Sequence, residues 1–149
     1  MTGGTYSLVV AVGEATTVDV GALGERAFEP GAYAYAGSAR GPGGFARLDR
    51  HRAVAAGERE TRHWHLDYLL GHAAASVVDA VRTPGVDGEC AVAAATPGTP
   101  VPGFGASDCD CPTHLHGPLP EARLRGALER VHDRLEAEGR VPDHVDASR

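Results

Sequence analysis

The sequence predicts an α+β domain, a small three-stranded antiparallel sheet flanked by helices, on three observations. First, GTYSLVVAV at residues 4–12 is rich in β-formers and sets Tyr6, Leu8, Val10 and Val12 on one face. Second, GAYAYAGSA at residues 31–39 alternates strictly: Tyr33, Tyr35 and Gly37 share one face, and Ala32, Ala34 and Ala36 the other. The all-alanine face leaves room for another element to pack closely. Third, residues 120–138 carry Leu124, Leu128, Val131 and Leu135 at helical spacing. Pro120 suits the first helical position and Gly139 the stop, so an amphipathic helix closes the chain.

The remaining elements follow in order. A polar stretch after Val12 allows a short strand at Thr16–Val20, and Pro30-Gly31 punctuates entry into the second main strand. Gly41-Pro42-Gly43-Gly44 breaks the chain before a helix from Phe45 to Ala56, whose apolar side is Phe45, Leu48, Ala55 and Ala56. Arg47 and His51, four residues apart, project together from another side. A polar link at Arg59–Thr61 leads to a second helix, RHWHLDYLLGH, in which Trp64 pairs with Tyr68 and His63 with Asp67 at the same spacing. An Asp one turn beyond a His can hold the imidazole in one tautomer. SVVDAVR at 76–82 reads as the third strand, and Thr83-Pro84-Gly85 turns toward a short Ala-rich helix opening at Gly88-Glu89. Residues 96–118 read as loop, rich in Gly and Pro, with SDCDCPTHLH inside it. We therefore expect one domain over 1–139 and an unstructured tail at 140–149.

Composition narrows the classes. A chain of 149 residues with 42% hydrophobic content buries a real core without disulfide staples. No apolar run approaches the roughly 20 residues that span a bilayer, and no secretory signal opens the chain, so a cytoplasmic protein is expected. The net charge of −6 and the absence of Lys argue against a broadly basic nucleic-acid surface. A GC-rich genome or a salty cytosol would acidify the surface whatever the function. The arginines also cluster, with Arg40, Arg47, Arg50, Arg52, Arg59 and Arg62 inside 23 residues. Cys109 and Cys111 stand too close to clamp a useful loop, and Cys90 is read as unpaired.

The order of elements and several motifs together resemble the GIY-YIG nuclease domain. Gly4-Thr5-Tyr6 stands where Gly-Ile-Tyr would stand, and Tyr35-Ala36-Gly37-Ser38 where Tyr-Ile-Gly-Ser or Thr would stand. The middle apolar residues are replaced by Thr and Ala, while both tyrosines and both glycines remain. Arg47, followed by Arg50 and His51, matches the family's Arg on the next helix, and Glu89-Cys90 its helix-borne acidic residue. GSARGPGGFARLDRH, HWHLDYLL and PGFGASDCDCPTHL look closer still to a subgroup of small single-domain GIY-YIG-like proteins, some fused to a base-excision endonuclease. The resemblance covers residues 4–116.

That resemblance implies a Mg²⁺- or Mn²⁺-dependent endonuclease acting on DNA, with a role and a protein partner in DNA repair and no membrane association. Glu89 would hold the cation, and Arg47 would grip the scissile phosphate with its planar fork. Tyr6 would be the general base, helped by His51, its pKa lowered by nearby positive charge. Tyr35 would position phosphate or water, and His63 or His65 would complete the site. Alternation also makes Tyr33 a rival to Tyr35.

Each role has an ordinary alternative. Tyr6 and Tyr35 suit a half-buried sheet face, Arg47 a solvated helix, and Glu89 a first-turn dipole partner. Cys109, Cys111 and His114, with Cys90 or His116 available, offer soft ligands for a structural Zn²⁺, although C-x-C spacing is tight for one tetrahedral ion. Alternatively this loop packs beside the site and Ser107, Asp108 or His114 shapes a groove. Two further functions stay open: a nucleic-acid-binding module without turnover, and a small metal-stabilised interaction domain.

Overall fold

The computed structural model describes residues 3–39, 44–58, 65–105 and 112–138. Strand β1 (Gly4–Val12) is followed by a ribbon of β2 (Thr16–Asp19) and β3 (Glu25–Phe28), then by β4 (Gly31–Ser38). Helices α1 (Ala46–Ala55) and α2 (His65–Leu70) lead to β5 (Ala75–Pro84), α3 (Glu89–Ala95), β6 (Leu115–Leu119) and α4 (Glu121–Glu138). The fold is α+β, with a main sheet ordered β5-β1-β4-β6 and antiparallel at every pairing.

That sheet has four strands, not the three expected. The extra strand, β6, comes from the segment read as loop. Its Gly117 and Pro118 are turn signals in a sequence, but β6 is an edge strand, where a residue without an N–H is tolerated. The β3 strand also escaped the sequence reading, because Phe28 is its one buried residue and four residues show no clear alternation. Of the helix expected over 62–72, the described part is α2; His63 and Trp64 lie outside the described residues, as does the 140–149 tail. Among the described residues no helix is long and apolar enough to cross a membrane.

The sheet is covered on both sides, and β1 is buried along almost its whole length. On one face Tyr6, Leu8, Val10 and Val12 pack with Leu48 and Val54 of α1 and with Leu66, Leu69 and Leu70 of α2. On the other, Val9, Ala32 and Ala34 receive Leu124 and Leu128 of α4. Ala36 meets Val92 and Ala93 of α3 and Leu135 of α4. The alanine face of β4 is thus the seat of α3 and α4, since a methyl side chain lets a helix approach where a larger one would hold it off.

This second face also holds a polar pin. The His132 ring of α4 lies between Ser7 Oγ (2.8 Å from Nε2) and Thr83 Oγ1 (2.9 Å from Nδ1), all buried. Burial lowers the His132 pKa from 6.5 to about 4, against a smaller opposing pull from Asp133. Between those pH values the unfolded chain binds a proton that the folded chain does not. The stabilisation is therefore complete above pH 6.5 and is lost as pH falls toward 4, by roughly 3 kcal/mol for this group. Urea unfolding followed from neutral to mildly acidic pH should show this loss, and His132→Gln should remove its share of the slope.

Candidate active site

The site forms where β1 begins and β4 ends. Tyr6 and Gly37 are direct partners across these strands. A Cβ on Gly37 would lie 2.4 Å from the Tyr6 hydroxyl oxygen, so only glycine lets the ring cross β4. The ring's tip reaches α1, where His51 Nε2 stands 2.8 Å from the hydroxyl. One turn earlier on α1, Arg47 donates to the Ser38 carbonyl (2.6 Å) and to the Tyr6 hydroxyl. The i, i+4 spacing expected for Arg47 and His51 brings both to the same phenol.

Tyr35 follows the same face of β4. Its ring meets His51, Phe104 and His114 edge-on, at centroid distances of 6.4, 6.2 and 6.2 Å. Gly105, at φ +71°, passes directly beneath it: a Cβ there would come within 2.9 Å of Tyr35 Cε1. The Gly105 N–H donates to His65 Nδ1 at 2.8 Å, so His65 sits behind this loop rather than in front of Tyr35. Tyr33 is core: it is buried, packs edge-on against Phe28, and donates its hydroxyl to the Glu29 carbonyl at 2.8 Å. Of the two tyrosines, Tyr35 is the one placed beside His51 and His114.

Glu89 is the first residue of α3, and β1 aims it. Thr5, fully buried, points to the opposite side from Tyr6; its hydroxyl donates to the Val86 carbonyl (2.7 Å) and accepts the Gly88 N–H (2.9 Å). The carboxylate lies 3.7 Å from His114 Nδ1 and close enough to Tyr6 for its charge to be felt there. His114 is held by backbone bonds on both sides, to Ala36 and Phe104. Its Nε2 stands 3.8 Å from Cys90 Sγ.

The electrostatics correct one expectation. Tyr6 does not have a lowered pKa: burial raises it well above the ordinary tyrosine value, Tyr35 and Glu89 add to the rise, and Arg47 opposes them. Burial likewise lowers His51 to about 4, with Arg50 and Arg47 lowering it further against Asp67. At neutral pH this is a neutral phenol beside a neutral imidazole. Arg47 can only donate, so the phenol oxygen accepts from it and the phenol proton is assigned to His51 Nε2. Tyr6 and His51 are each 1% exposed, whereas Tyr35, Arg47 and Glu89 are half-buried. A ligand would touch the latter three.

Other expectations fall elsewhere. Arg50 is no phosphate ligand in waiting: both of its terminal nitrogens donate to the buried Asp67 carboxylate at 2.9 Å, tying α1 to α2. Asp67 thus has a partner 17 residues earlier, while His63, expected beside it, lies outside the described residues. Arg40, Arg59, Arg62, Ser107, Asp108, Cys109 and Cys111 lie outside the described residues. Cys90 is not unpaired; it is disulfide-bonded, which withdraws its thiolate from any zinc set. Among the described residues no group of three His, Cys, Asp or Glu could hold a metal ion. The sequence reading missed Thr5 and Gly105 as parts of the site. Thr5 had a signal: a hydroxyl in a strand with both faces apolar needs a polar partner.

A family model described as a domain of unknown function, DUF123, matches residues 5–137. The chain belongs to the DUF123 family. The matched span takes in β1 from Thr5 onward, the other strands of the sheet, every residue named in this site and nearly all of α4. No curated protein and no solved structure matches the chain.

Thr5→Val should therefore loosen the start of α3 while leaving β1 packed. The loss of two buried hydrogen bonds predicts a fall in stability of about 1–3 kcal/mol. Hydrogen exchange should quicken at Gly88 and through α3 more than at β1, read by mass spectrometry.

Proposed function

We propose that this DUF123 domain is a divalent-metal-dependent endonuclease that hydrolyses DNA phosphodiester bonds, with a place in DNA repair. The observation that carries the reading is convergence. Tyr6, Tyr35, Arg47, His51 and Glu89, drawn from four separate elements, meet at one end of the sheet. These are the residues that the resemblance to GIY-YIG nucleases singles out.

The donor set fits Mg²⁺ or Mn²⁺. Glu89 is a single half-exposed carboxylate, and hard divalent cations bind oxygen while keeping several waters, so one carboxylate with no protein cage suits them. When bound at Glu89, the cation would offset charge on the phosphate oxygens and the leaving alkoxide. The chain's own groups do the rest. Arg47, one of whose terminal nitrogens donates to the Ser38 carbonyl, grips a non-bridging oxygen with its guanidinium. Tyr35 lines the opening and orients phosphate or water. The Tyr6 phenol stays neutral and donates its hydrogen bond to the neutral His51 imidazole, which leaves its oxygen to accept from Arg47. Tyr6 and His51 thus act as one neutral hydrogen-bonded unit that orients Arg47 rather than as a lone tyrosinate.

The high Tyr6 pKa also favours a second reading, a nucleic-acid-binding module that retains the fold without turnover. The two separate cleanly by mutation. The nuclease reading predicts nicking of branched, damaged or single-stranded DNA in Mg²⁺ or Mn²⁺, reduced at least about 100-fold by Glu89→Ala and by Arg47→Ala with thermal unfolding unchanged. In the binding-module reading no DNA is cut, Arg47→Ala weakens binding, and Glu89→Ala leaves it intact.

A further inference from the structure

Arg82 is outside the five-residue cluster, yet the sheet delivers it to the same place. In register it faces Tyr6 across β1–β5, as Gly37 faces Tyr6 across β1–β4. Direct partners in an antiparallel pair share a face, so Arg82, Tyr6 and Gly37 form one row across three strands. Neighbouring strands lie about 4.8 Å apart, which puts the Arg82 backbone roughly 5 Å from that of Tyr6. Ala80, two residues earlier, packs in the same cluster as Tyr6 and Leu8, which confirms the face. Arg82 ends the row on the open side, because β5 is the sheet's edge.

The side chain is exposed, and its guanidinium carbon stands 5.4 Å above the ring of Phe45, the residue just before α1 and two before Arg47. A cation held over an aromatic face is restrained near it without using its N–H donors, and a guanidinium so placed can still take a phosphate in two parallel bonds. Arg82 has no carboxylate partner among the described residues. Arg50 is held by Asp67, and Arg125 by Glu121 and Asp79. Other exposed arginines such as Arg52 and Arg123 also lack a carboxylate among the described residues, so what sets Arg82 apart is its place in the Tyr6 row.

We propose that Arg82, seated on Phe45, binds a second, non-scissile phosphate of the nucleic-acid strand and sets the direction in which that strand crosses the site. The inference rests on the nuclease reading of the Tyr6–Glu89 cluster and extends its footprint toward the β5 edge. A strand gripped at Arg47 and again at Arg82 runs across the Tyr6 row, past the end of the sheet. Chemistry stays with the cluster; Arg82 is a positioning residue.

The test is oligonucleotide binding by the full chain, with EDTA present to prevent cleavage, read by fluorescence anisotropy over a series of salt concentrations. Single-stranded and nicked duplex probes are both used. Arg82→Gln should weaken binding about tenfold at low salt and reduce the slope of log K against log salt by about 0.7–0.9, one phosphate contact. Arg82→Lys should restore the slope, since it restores the charge. Phe45→Leu should weaken binding with the slope kept. An Arg82→Gln protein with the wild-type slope, in a chain that Arg47→Gln weakens, overturns the proposal and leaves the nuclease reading standing. A wild-type chain that binds neither probe overturns both.

Discussion

A tyrosine ring can lie across a neighbouring strand only where that strand carries no side chain. Tyr6 crosses β4 at Gly37 for this reason, and the contact fixes more than one ring. It sets β1 against β4 in one register, carries the Tyr6 hydroxyl to His51, and so determines where α1 docks. Arg47 then reaches back over the crossing to the Ser38 carbonyl. On the reverse of the same strand, Thr5 ties the entry of α3 and thereby places Glu89. One buried strand orients both halves of the site, the Arg and His from one layer of helices and the carboxylate from the other.

The electrostatics follow from that burial. A strand with helices on both faces has almost no water beside it, so its titratable neighbours are held neutral: Tyr6 as a phenol, His51 and His132 as imidazoles. The charge is concentrated at the rim, on Arg47, Glu89 and Arg82. Under the proposed nuclease reading, a neutral interior beneath a charged rim would let a polyanion approach without desolvating a buried ion, which meets the difficulty posed by an acidic protein. Under that reading, affinity for phosphate does not need a basic surface if a few guanidiniums are aimed at one place. The chain's arginine cluster is less basic in effect than in composition, because Arg50 is neutralised by Asp67.

Much of this was legible in the sequence where periodicity carried it. The β1 and β4 strands, their division into tyrosine and alanine faces, the pairing of Arg47 with His51 on α1 and the stripe of α4 all follow from spacing of two or of three to four. The fourth strand did not, because Gly117 and Pro118 announce a turn and only the tertiary arrangement makes β6 an edge. Nor did the Arg50–Asp67 pair, since helical spacing sees four residues ahead and Arg50 lies on another helix. The Tyr6 pKa was read in the wrong direction for a related reason. Nearby Arg was visible in the motif, but burial on both faces of β1, the larger effect, was not. Cys90 looked single because sequence separation says nothing about where the chain returns.

The central claim is that Glu89 and Arg47 face one shared phosphate site. Crystals of the protein grown with Mn²⁺ and a short DNA strand test it most directly, through the anomalous signal of the metal. The account predicts one manganese bound by the Glu89 carboxylate, with a phosphate bridging it to the Arg47 guanidinium and Tyr35 at its side. Manganese bound elsewhere, or a strand lying on another face with Arg47 untouched, would contradict it.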